Sequence, residues 1–419
     1  MARCQFALAL TVTTLACGRS ARTPETMSSD GRSRGFYAAA RGSVPDVATL
    51  TTLGRSLFFD TTLSASGRLS CASCHSPTRG WGPPNGAPVQ FGGVLGNVAG
   101  LRAAPSLGYQ QDVRPFTEHF VESDEDAVDQ GPAGGRDWDG RASSAHEQAV
   151  APLLSPSEMA NGDRATVVAR LRRSPNAATF IRAFGKNVLD DTAAAWNALL
   201  LALEVFEQSP SDFYPYSSKY DAVLRGQAEL SVQEARGLVL FNDKRKGNCA
   251  QCHPSATDRG AFPQFTDRGF VALGVPRNAH IVANADSMYF DLGLCGPLRT
   301  DLATHPEYCG LFKTPTLRNV ALRRVFFHNG AFNTLEDVLR FYAQRDLSPA
   351  TVYGRDAGGQ VRLYDDLPAR YRVNVTHEPP FAGSAAGRPA FSDSEAADII
   401  AFLRTLTDGY VSPANTRQP

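Results

Sequence analysis

Apolar residues recur at helical spacing in several separate stretches of the chain. The longest stretch covers residues 191–206 and predicts one extended apolar helix. Shorter stretches at 53–59 and 236–241 share a similar order of Gly, Leu and Phe, which indicates a weak internal repeat. Serine followed three residues later by glutamate, at 231–234 and at 392–395, forms a capping box that predicts the start of a helix. Little of the chain alternates between apolar and polar residues, so the pattern favours a mainly α fold.

The motif Cys-Xaa-Xaa-Cys-His occurs twice, each time a short distance after one of the repeated stretches. The residues are Cys71, Cys74 and His75 in the first copy and Cys249, Cys252 and His253 in the second. This motif is the attachment signature of c-type haem: the thiols bond to the porphyrin and the histidine binds the iron. A zinc site is disfavoured because no further cysteine pair lies nearby to complete four ligands. The sequence therefore predicts two covalently bound haem c groups.

The two motifs suggest how the chain is divided. Each half contains a helix followed by a haem-bearing loop, as in class I cytochromes c. Proline and polar residues at 209–215 indicate a linker between the halves. We therefore predict two class I cytochrome c-like haem domains with long connecting loops, at residues 44–210 and 211–412.

The N-terminal residues have the pattern of an export signal. Arg3 precedes an apolar run that is too short to span a bilayer and that ends near Cys17. Residues 1–17 are predicted to be a signal or lipoprotein leader, and 18–43 a flexible tether rich in Ser, Arg and Gly. Both secretion and lipidation at Cys17 remain open, because the residue three before Cys17 is threonine instead of leucine. Either alternative places the protein in the periplasm, free or tethered to the membrane as a lipoprotein.

Composition narrows the classes of partner. The chain has 419 residues, and its 42 basic and 42 acidic residues cancel without forming a basic stripe, so nucleic acid is not expected as a partner. Of eight cysteines, four belong to the haem motifs and two to the leader. Cys295 and Cys309 remain, and an oxidising compartment favours a disulfide between them over two buried free thiols.

Further motifs connect the chain to a known family. They are the segments 57–60, 138–142, 314–321, 327–330 and 401–406, together with both haem motifs. Their order over residues 45–410 resembles the bacterial di-haem cytochrome c peroxidase superfamily, in particular its MauG-like branch. The stretch from Asp291 to Gly310 is similar to the methanobactin-associated enzymes of MbnH type. The resemblance implies an enzyme that uses hydrogen peroxide to oxidise aromatic residues of a partner protein.

The ligands of the first iron are predicted from the lack of a histidine after the first haem motif and from the resemblance to the family. Residues 76–118 contain no histidine, although peroxidases of the superfamily carry a distal one there. We therefore expect an open, peroxide-reactive first haem, with His119 as an alternative resting ligand. The resemblance implies that Gln148, Pro152 and Glu158 line the distal pocket and that Glu158 moves a peroxide proton between the two oxygens. A solvated carboxylate in the first turn of a helix is the structural alternative for Glu158.

The second iron is expected to differ. Peroxidases of the superfamily place a methionine fourteen residues after the histidine of their His-Xaa-Gly motif, and here that position is Tyr342. The resemblance to the MauG-like branch implies that Tyr342 is an iron ligand, since a phenolate stabilises oxidised iron. Spacing alone would favour a core tyrosine in an amphipathic helix, and Met288 is the rival ligand. His328 is predicted to lie close to the second haem, with ordinary packing as the equal alternative.

Three further features complete the expected site. Trp138 matches the tryptophan between the haems in the family, with core packing as the alternative. Trp81 and Trp196 have no assigned role. Trp196 is predicted to be a core residue, and either side chain could relay oxidising equivalents if it lay near the surface. Calcium between the haems remains uncertain, because Ala103 occupies the position of the family's asparagine ligand. An acidic stretch at 122–126 is expected to be a solvated loop.

Three functions fit these observations. The first is an exported di-haem oxidase that passes through a high-valent di-haem state and oxidises a partner residue, with tryptophan as the expected target. The second is a cytochrome c peroxidase that reduces peroxide with electrons from a small redox protein. The third is an electron carrier with two six-coordinate irons. The expected tyrosine ligand and the open first iron favour the first function.

Overall fold

The fold is built around two pairs of crossing helices. The computed structural model describes residues 45–121, 128–258, 260–381, 383 and 387–411. In the first pair, α1 (Val47–Phe58) packs against α7 (Thr192–Glu207). Asp46 caps α1 by accepting a 2.9 Å hydrogen bond from the backbone amide of Thr49. A Cβ atom on Gly54 would lie 1.9 Å from the carbonyl oxygen of Ala202, so only glycine permits this approach of the two backbones.

The second pair repeats this arrangement. Helix α10 (Val232–Asn242) packs against α13 (Asp393–Arg404), and both begin with the predicted capping boxes. A Cβ atom on Gly237 would lie 2.0 Å from the carbonyl oxygen of Asp398. The weak repeat in the sequence therefore corresponds to one helix crossing that is built twice.

A cluster of three aromatic rings accompanies each helix pair. In the first cluster, ring centroids lie 5.5–6.0 Å apart; its members are Phe58, Trp81 and Phe206. In the second, they lie 5.2–6.2 Å apart; its members are Phe241, Phe265 and Phe402. Edge-to-face contacts of this kind add to the stabilisation from burial alone. The clusters fix the position of each helix pair relative to its haem motif.

The remaining elements are short and are joined by long loops. The other helices are α2 (Cys71–Cys74), α3 (Ala145–Gln148), α4 (Val150–Leu154), α5 (Arg164–Leu171), α6 (Ala177–Phe184), α8 (Pro210–Phe213), α9 (Lys219–Leu224), α11 (Leu335–Gln344) and α12 (Pro349–Tyr353). Short 3₁₀ helices cover Thr61–Leu63, Pro77–Arg79, Cys249–Gln251, Val282–Ala285, Pro306–Tyr308, Val320–Leu322 and Ala369–Asn374. Two antiparallel pairs of two-residue strands join β1 (Phe91–Gly92) to β2 (Val98–Ala99) and β3 (Phe270–Val271) to β4 (Phe312–Lys313).

The mainly α fold is confirmed. The helix expected at 191–206 is Thr192–Glu207, and the expected linker at 209–215 contains the short helix α8. The described residues form one compact unit, and the division at residue 210 into two haem domains stays a prediction. The leader at 1–17 and the tether at 18–43 lie outside the described residues, as does the acidic stretch at 122–126. Within the described ranges, no helix is long and apolar enough to cross a bilayer.

Candidate functional site: two haem cavities and the tryptophan between them

The first haem motif presents its histidine in a fixed orientation. Cys71 and Cys74 form the single turn of α2, and neither takes part in a disulfide. His75 follows directly, and its Nδ1 atom lies 3.2 Å from the carbonyl oxygen of Trp81. A proton on Nδ1 that is held by this carbonyl leaves Nε2 free to bind iron. Burial lowers the pKa of His75, which favours the neutral imidazole that metal binding needs.

The second motif uses the same arrangement. Nδ1 of His253 lies 2.8 Å from the carbonyl oxygen of Phe265, and burial lowers the pKa of His253 to about 4. Trp81 and Phe265 both have left-handed backbones, with φ of 62° and 54°. This conformation is uncommon for bulky residues, and here it accompanies a carbonyl that faces the proximal histidine in both halves.

The distal residues predicted for the first haem lie together in one cavity of about 350 Å³. Gln148, Pro152 and Glu158 line it with Cys71, Cys74 and His75. Nε2 of Gln148 donates a 3.3 Å hydrogen bond to Oδ1 of Asp137, which orients the amide. His119 does not line this cavity: its side chain is 74% exposed and pairs with Asp129 at 2.6 Å.

The carboxyl group of Glu158 has a pKa shifted towards neutrality. Burial, with a further contribution from the charge of Asp137, raises its pKa to about 7. Arg141 opposes this rise, and it also contacts Asp137 at 3.1 Å. A carboxyl group with a pKa near neutrality can both accept and return a proton. Glu158 lies between α4 and α5, outside any helix, and its side chain is half-buried.

Sequence reasoning missed two residues that also line the first cavity, Glu207 and Met159. Glu207 is the last residue of α7, it is buried, and burial raises its pKa to about 7. The sequence did contain a signal for Glu207, since a glutamate four residues after Leu203 lies on the buried face of an apolar helix. Met159 is 5% exposed and directly follows Glu158.

The second cavity, also about 350 Å³, contains Tyr342 and His328 together with the second haem motif. Tyr342 lies on α11 and stacks on Phe381, with ring centroids 5.1 Å apart. Burial raises the pKa of Tyr342, and the nearby thiols of Cys252 and Cys249 raise it further. The phenol is therefore neutral unless a bound metal takes up its charge. Met288, the rival ligand, is 82% exposed and is not part of this wall.

His328 is held by contacts of its own. Its ring is stacked on that of Phe312, with centroids 3.5 Å apart, and its Nε2 atom lies 3.6 Å from a carboxylate oxygen of Asp366. With these contacts, His328 lies in the wall of the second cavity, and its place beside a haem stays a prediction.

Two cationic side chains in the wall of the second cavity, one buried and one half-buried, fit an anionic cofactor. Nζ of Lys313 donates a 2.7 Å hydrogen bond to the carbonyl oxygen of Gly135, and burial lowers the pKa of Lys313 to about 7. Arg323 contacts the carbonyl oxygen of Thr316 at 3.5 Å, and burial lowers its pKa to about 10. Among the described residues, no carboxylate pairs with either of them. Haem carries two propionates, so these cations suit the group that both motifs predict.

Trp138 lines both cavities. Its indole nitrogen donates a 2.8 Å hydrogen bond to the carbonyl oxygen of Ala103, and the side chain is 8% exposed. Next to it, Arg102 pairs with Asp139 and with Asp291, at 2.6 Å in each case. In the described part of the chain, no group of three or more His, Cys, Asp or Glu could hold a metal ion.

Other sequence predictions concern the surroundings of the site. Trp196 is 2% exposed in α7 and packs in the core, as expected. Cys295 and Cys309 form the expected disulfide.

Comparisons with known proteins agree with this geometry. A family model described as di-haem cytochrome c peroxidase matches residues 48–229. The methylamine utilization protein MauG of Paracoccus denitrificans is 37% identical over 387 residues, which are 87% of this chain and 90% of MauG. The diheme peroxidase BthA of Burkholderia thailandensis E264 is 37% identical, with 87% of each chain covered and a TM-score of 0.76. A MauG-like protein associated with microbial copper homeostasis is 25% identical over 86% of this chain and 89% of that protein, with a TM-score of 0.58. The superfamily is therefore confirmed, although the copper-associated protein is less similar to this chain than MauG and BthA are.

Proposed function

Because this chain belongs to the di-haem cytochrome c peroxidase family, which includes MauG, we propose that it uses hydrogen peroxide to oxidise an aromatic residue of a partner protein. Family membership itself makes the chain a peroxide-dependent di-haem oxidoreductase. The proposal is that the electrons come from an aromatic side chain of a partner protein, with tryptophan as the favoured target, and not from a small redox protein.

The chemistry divides between the two cavities. Haem, when bound, supplies iron that reacts with peroxide and stores oxidising equivalents. In the first cavity, the carboxylate of Glu158 accepts a proton from one peroxide oxygen and returns it to the other. Gln148, held by Asp137, orients the peroxide, and Pro152 occupies part of the distal wall. Trp138 lies in the walls of both cavities and provides the path between them.

The observation that carries the proposal is the phenol of Tyr342 in the second cavity. Among the residues that the structure describes, the cavity wall includes His253 and Tyr342 but no methionine. A thioether favours reduced iron, which suits an electron-accepting haem, whereas an anionic phenolate favours oxidised iron. We propose that His253 and Tyr342 bind the second iron, that His75 binds the first, and that His328 is a neighbour of the second. This ligand set favours storage of oxidising equivalents.

Two electron donors compete in the experiment that tests this function. Holoenzyme receives hydrogen peroxide together with a tryptophan-containing peptide, or with a reduced small c-type cytochrome. We expect the mass of the peptide to change and the cytochrome to be oxidised only slowly. Rapid oxidation of the cytochrome with an unchanged peptide would contradict the proposal.

The variants Tyr342→Phe and Tyr342→Met provide the ligand test. Tyr342→Phe is expected to remove the spectral signature of a phenolate from the oxidised protein. Tyr342→Met is expected to shift the preference towards the cytochrome, since it supplies the ligand of the electron-accepting type. Identical spectra in wild type and Tyr342→Phe would exclude tyrosine as a ligand.

The description of the matching family favours a second candidate, a peroxidase that receives electrons from a small redox protein. The competition experiment distinguishes the two.

For the location, we propose the periplasm, with lipidation at Cys17 as an open alternative, because covalent attachment of haem in bacteria takes place outside the cytoplasm. Cell fractionation of wild type and Cys17→Ser would separate a free from a tethered protein.

A further inference from the structure

Trp81 carries a larger and more easily oxidised ring than its position needs. Its carbonyl faces His75, and the same role in the second half belongs to Phe265, which also has a left-handed backbone. Phe265 shows that a phenyl ring suffices for the turn and for packing against the two helices. The indole of Trp81 is therefore a feature of the first haem site alone.

The indole of Trp81 has an ordered path to the surface. It stacks on Phe213, with ring centroids 4.1 Å apart and an interplanar angle of 19°, and its Nε1 donates a 2.7 Å hydrogen bond to the carbonyl oxygen of Asp212. The next residue after Phe213 is Tyr214, which is partly exposed. Tyr214 contacts Tyr216, with ring centroids 6.5 Å apart. The hydrogen bond to Asp212 and the backbone of residues 212–214 thus connect Trp81 with the partly exposed Tyr214.

Tryptophan and tyrosine are among the side chains that lose an electron most easily, and electron transfer becomes much slower as the gap between donor and acceptor widens. Several short steps are therefore faster than a single long one. Phe213 is not itself oxidised; it stacks on Trp81 and directly precedes Tyr214 in the chain. The hydroxyl of Tyr214 donates a 2.6 Å hydrogen bond to the carbonyl oxygen of Gln208, close to the surface where a released proton can reach water.

We propose that Trp81 and Tyr214 form an exit route for oxidising equivalents from the first haem site. Reduction of one peroxide to two waters consumes two electrons and two protons. In the first pass, Trp81 loses one electron to the haem site, and Tyr214 restores Trp81 by losing an electron and its phenolic proton. In the second pass, Trp81 loses one electron and its indole proton and stays oxidised, because Tyr214 is already oxidised. Peroxide is the oxidant, and Tyr214 and Trp81 each supply one electron and one proton. The route depends on the peroxide activity of the family and not on the identity of the partner.

The test uses full-length holoenzyme with limiting hydrogen peroxide and with neither partner nor cytochrome. Peptide mass spectrometry locates added oxygen and cross-links, while peroxide consumption is followed in the same samples. In wild type we expect modification at Trp81 and Tyr214. In Trp81→Phe, modification of Tyr214 is expected to fall to the level found at Tyr371, a partly exposed tyrosine that belongs to a different cluster. In Tyr214→Phe, modification is expected to accumulate at Trp81.

Trp81→Phe copies the residue that the second half already uses, so the variant is expected to fold and to bind both haems, which haem absorbance verifies. Equal modification of Tyr214 in wild type and Trp81→Phe, with normal peroxide consumption, would overturn the exit route alone. Loss of peroxide consumption in wild type would contradict the proposed function as well. Trp81 that stays unmodified in both wild type and Tyr214→Phe would also overturn the route.

Discussion

The indole nitrogen of Trp138 donates a 2.8 Å hydrogen bond to the carbonyl oxygen of Ala103. This bond fixes the orientation of the only ring that lines both haem cavities in the described part of the chain. The acceptor is a backbone carbonyl, so the orientation of the indole does not depend on the side chain at position 103. The indole of Trp138 therefore lies in the walls of both haem sites and is oriented by a hydrogen bond to Ala103, which belongs to an earlier loop.

Replacement of Trp138 is expected to separate the two sites. Trp138→Phe removes the hydrogen bond to Ala103 and leaves a smaller ring between the cavities. We expect peroxide still to react at the first haem, whereas the spectral change of the second haem is delayed or lost. Stopped-flow absorbance at the bands of the two haems measures both events. Trp196→Phe, which alters a tryptophan in neither cavity wall, is the matched control, and an equal delay in that variant would contradict the inter-haem role.

The reaction with peroxide is expected to depend on pH through Glu158. Its pKa is raised to about 7, mainly by burial, and only the carboxylate can accept a proton. The rate should therefore rise as the pH increases through about 7. Loss of a general acid–base group costs about 10²- to 10⁴-fold in rate, so Glu158→Gln is expected to be at least about 100-fold slower and to show no such rise. Initial rates of peroxide consumption between pH 5.5 and 8.5, about one and a half units either side, measure this dependence.

Glu207 provides the control for this experiment. It lines the same cavity, and burial also raises its pKa to about 7. Glu207→Gln is expected to keep the rise in rate with pH, because Glu158 is intact. If the rise disappears in Glu207→Gln and persists in Glu158→Gln, the proton shuttle has been assigned to the wrong carboxylate.

Each haem motif is expected to hold one haem covalently. The double replacement of Cys249 and Cys252 with serine removes both thiols of the second motif, so one covalently attached haem should be lost from the intact mass. The first motif should remain loaded, since its own thiols are unchanged. Cys295→Ser disrupts the disulfide with Cys309 and should leave both haems attached. Wild-type protein that loses its haem under denaturing conditions would show that attachment is not covalent.

The helix crossings are expected to tolerate no side chain at their glycines. Gly237→Ala places a Cβ atom 2.0 Å from the carbonyl oxygen of Asp398, so α10 and α13 must separate. Overpacking of this kind costs about 1–3 kcal/mol of the free energy of unfolding. Gly162→Ala is the matched control, since a Cβ atom there meets nothing within 4 Å and its backbone φ is not left-handed. Thermal unfolding of both holo-variants measures the effect, and equal melting temperatures would contradict it.

The haem-binding residues could be predicted from the sequence because they are close together along the chain. Two thiols and a histidine within five residues already form the attachment site, whatever the rest of the protein does. The capping boxes are also local, since Ser231 and Glu234 hydrogen-bond to each other's backbone. The glycines of the internal repeat indicated two similar helices, and the structure shows that both are needed where helices cross.

The distal site needed more than local pattern. Gln148, Pro152 and Glu158 were predicted only through the resemblance to a family, and spacing alone would have assigned Tyr342 to the core. The structure brings the first three into one cavity and places Tyr342 with His253 in another. The resemblance aligned these positions with the motifs of the family, and composition and periodicity cannot provide that alignment.

Tertiary structure alone decided which distant residues share a cavity. Asp137 and Glu207 are far apart in sequence, yet both line the first cavity, while Lys313 and Arg323 lie in the wall of the second. Chain folding determines which charges are buried together, and burial then shifts their pKa values, as it does for Glu158 and Glu207. The sequence by itself determined the two attachment sites and the starts of their helices, because those depend on contacts within one turn of the chain. The surroundings that make one haem site differ from the other depend on loops that meet only in the folded protein.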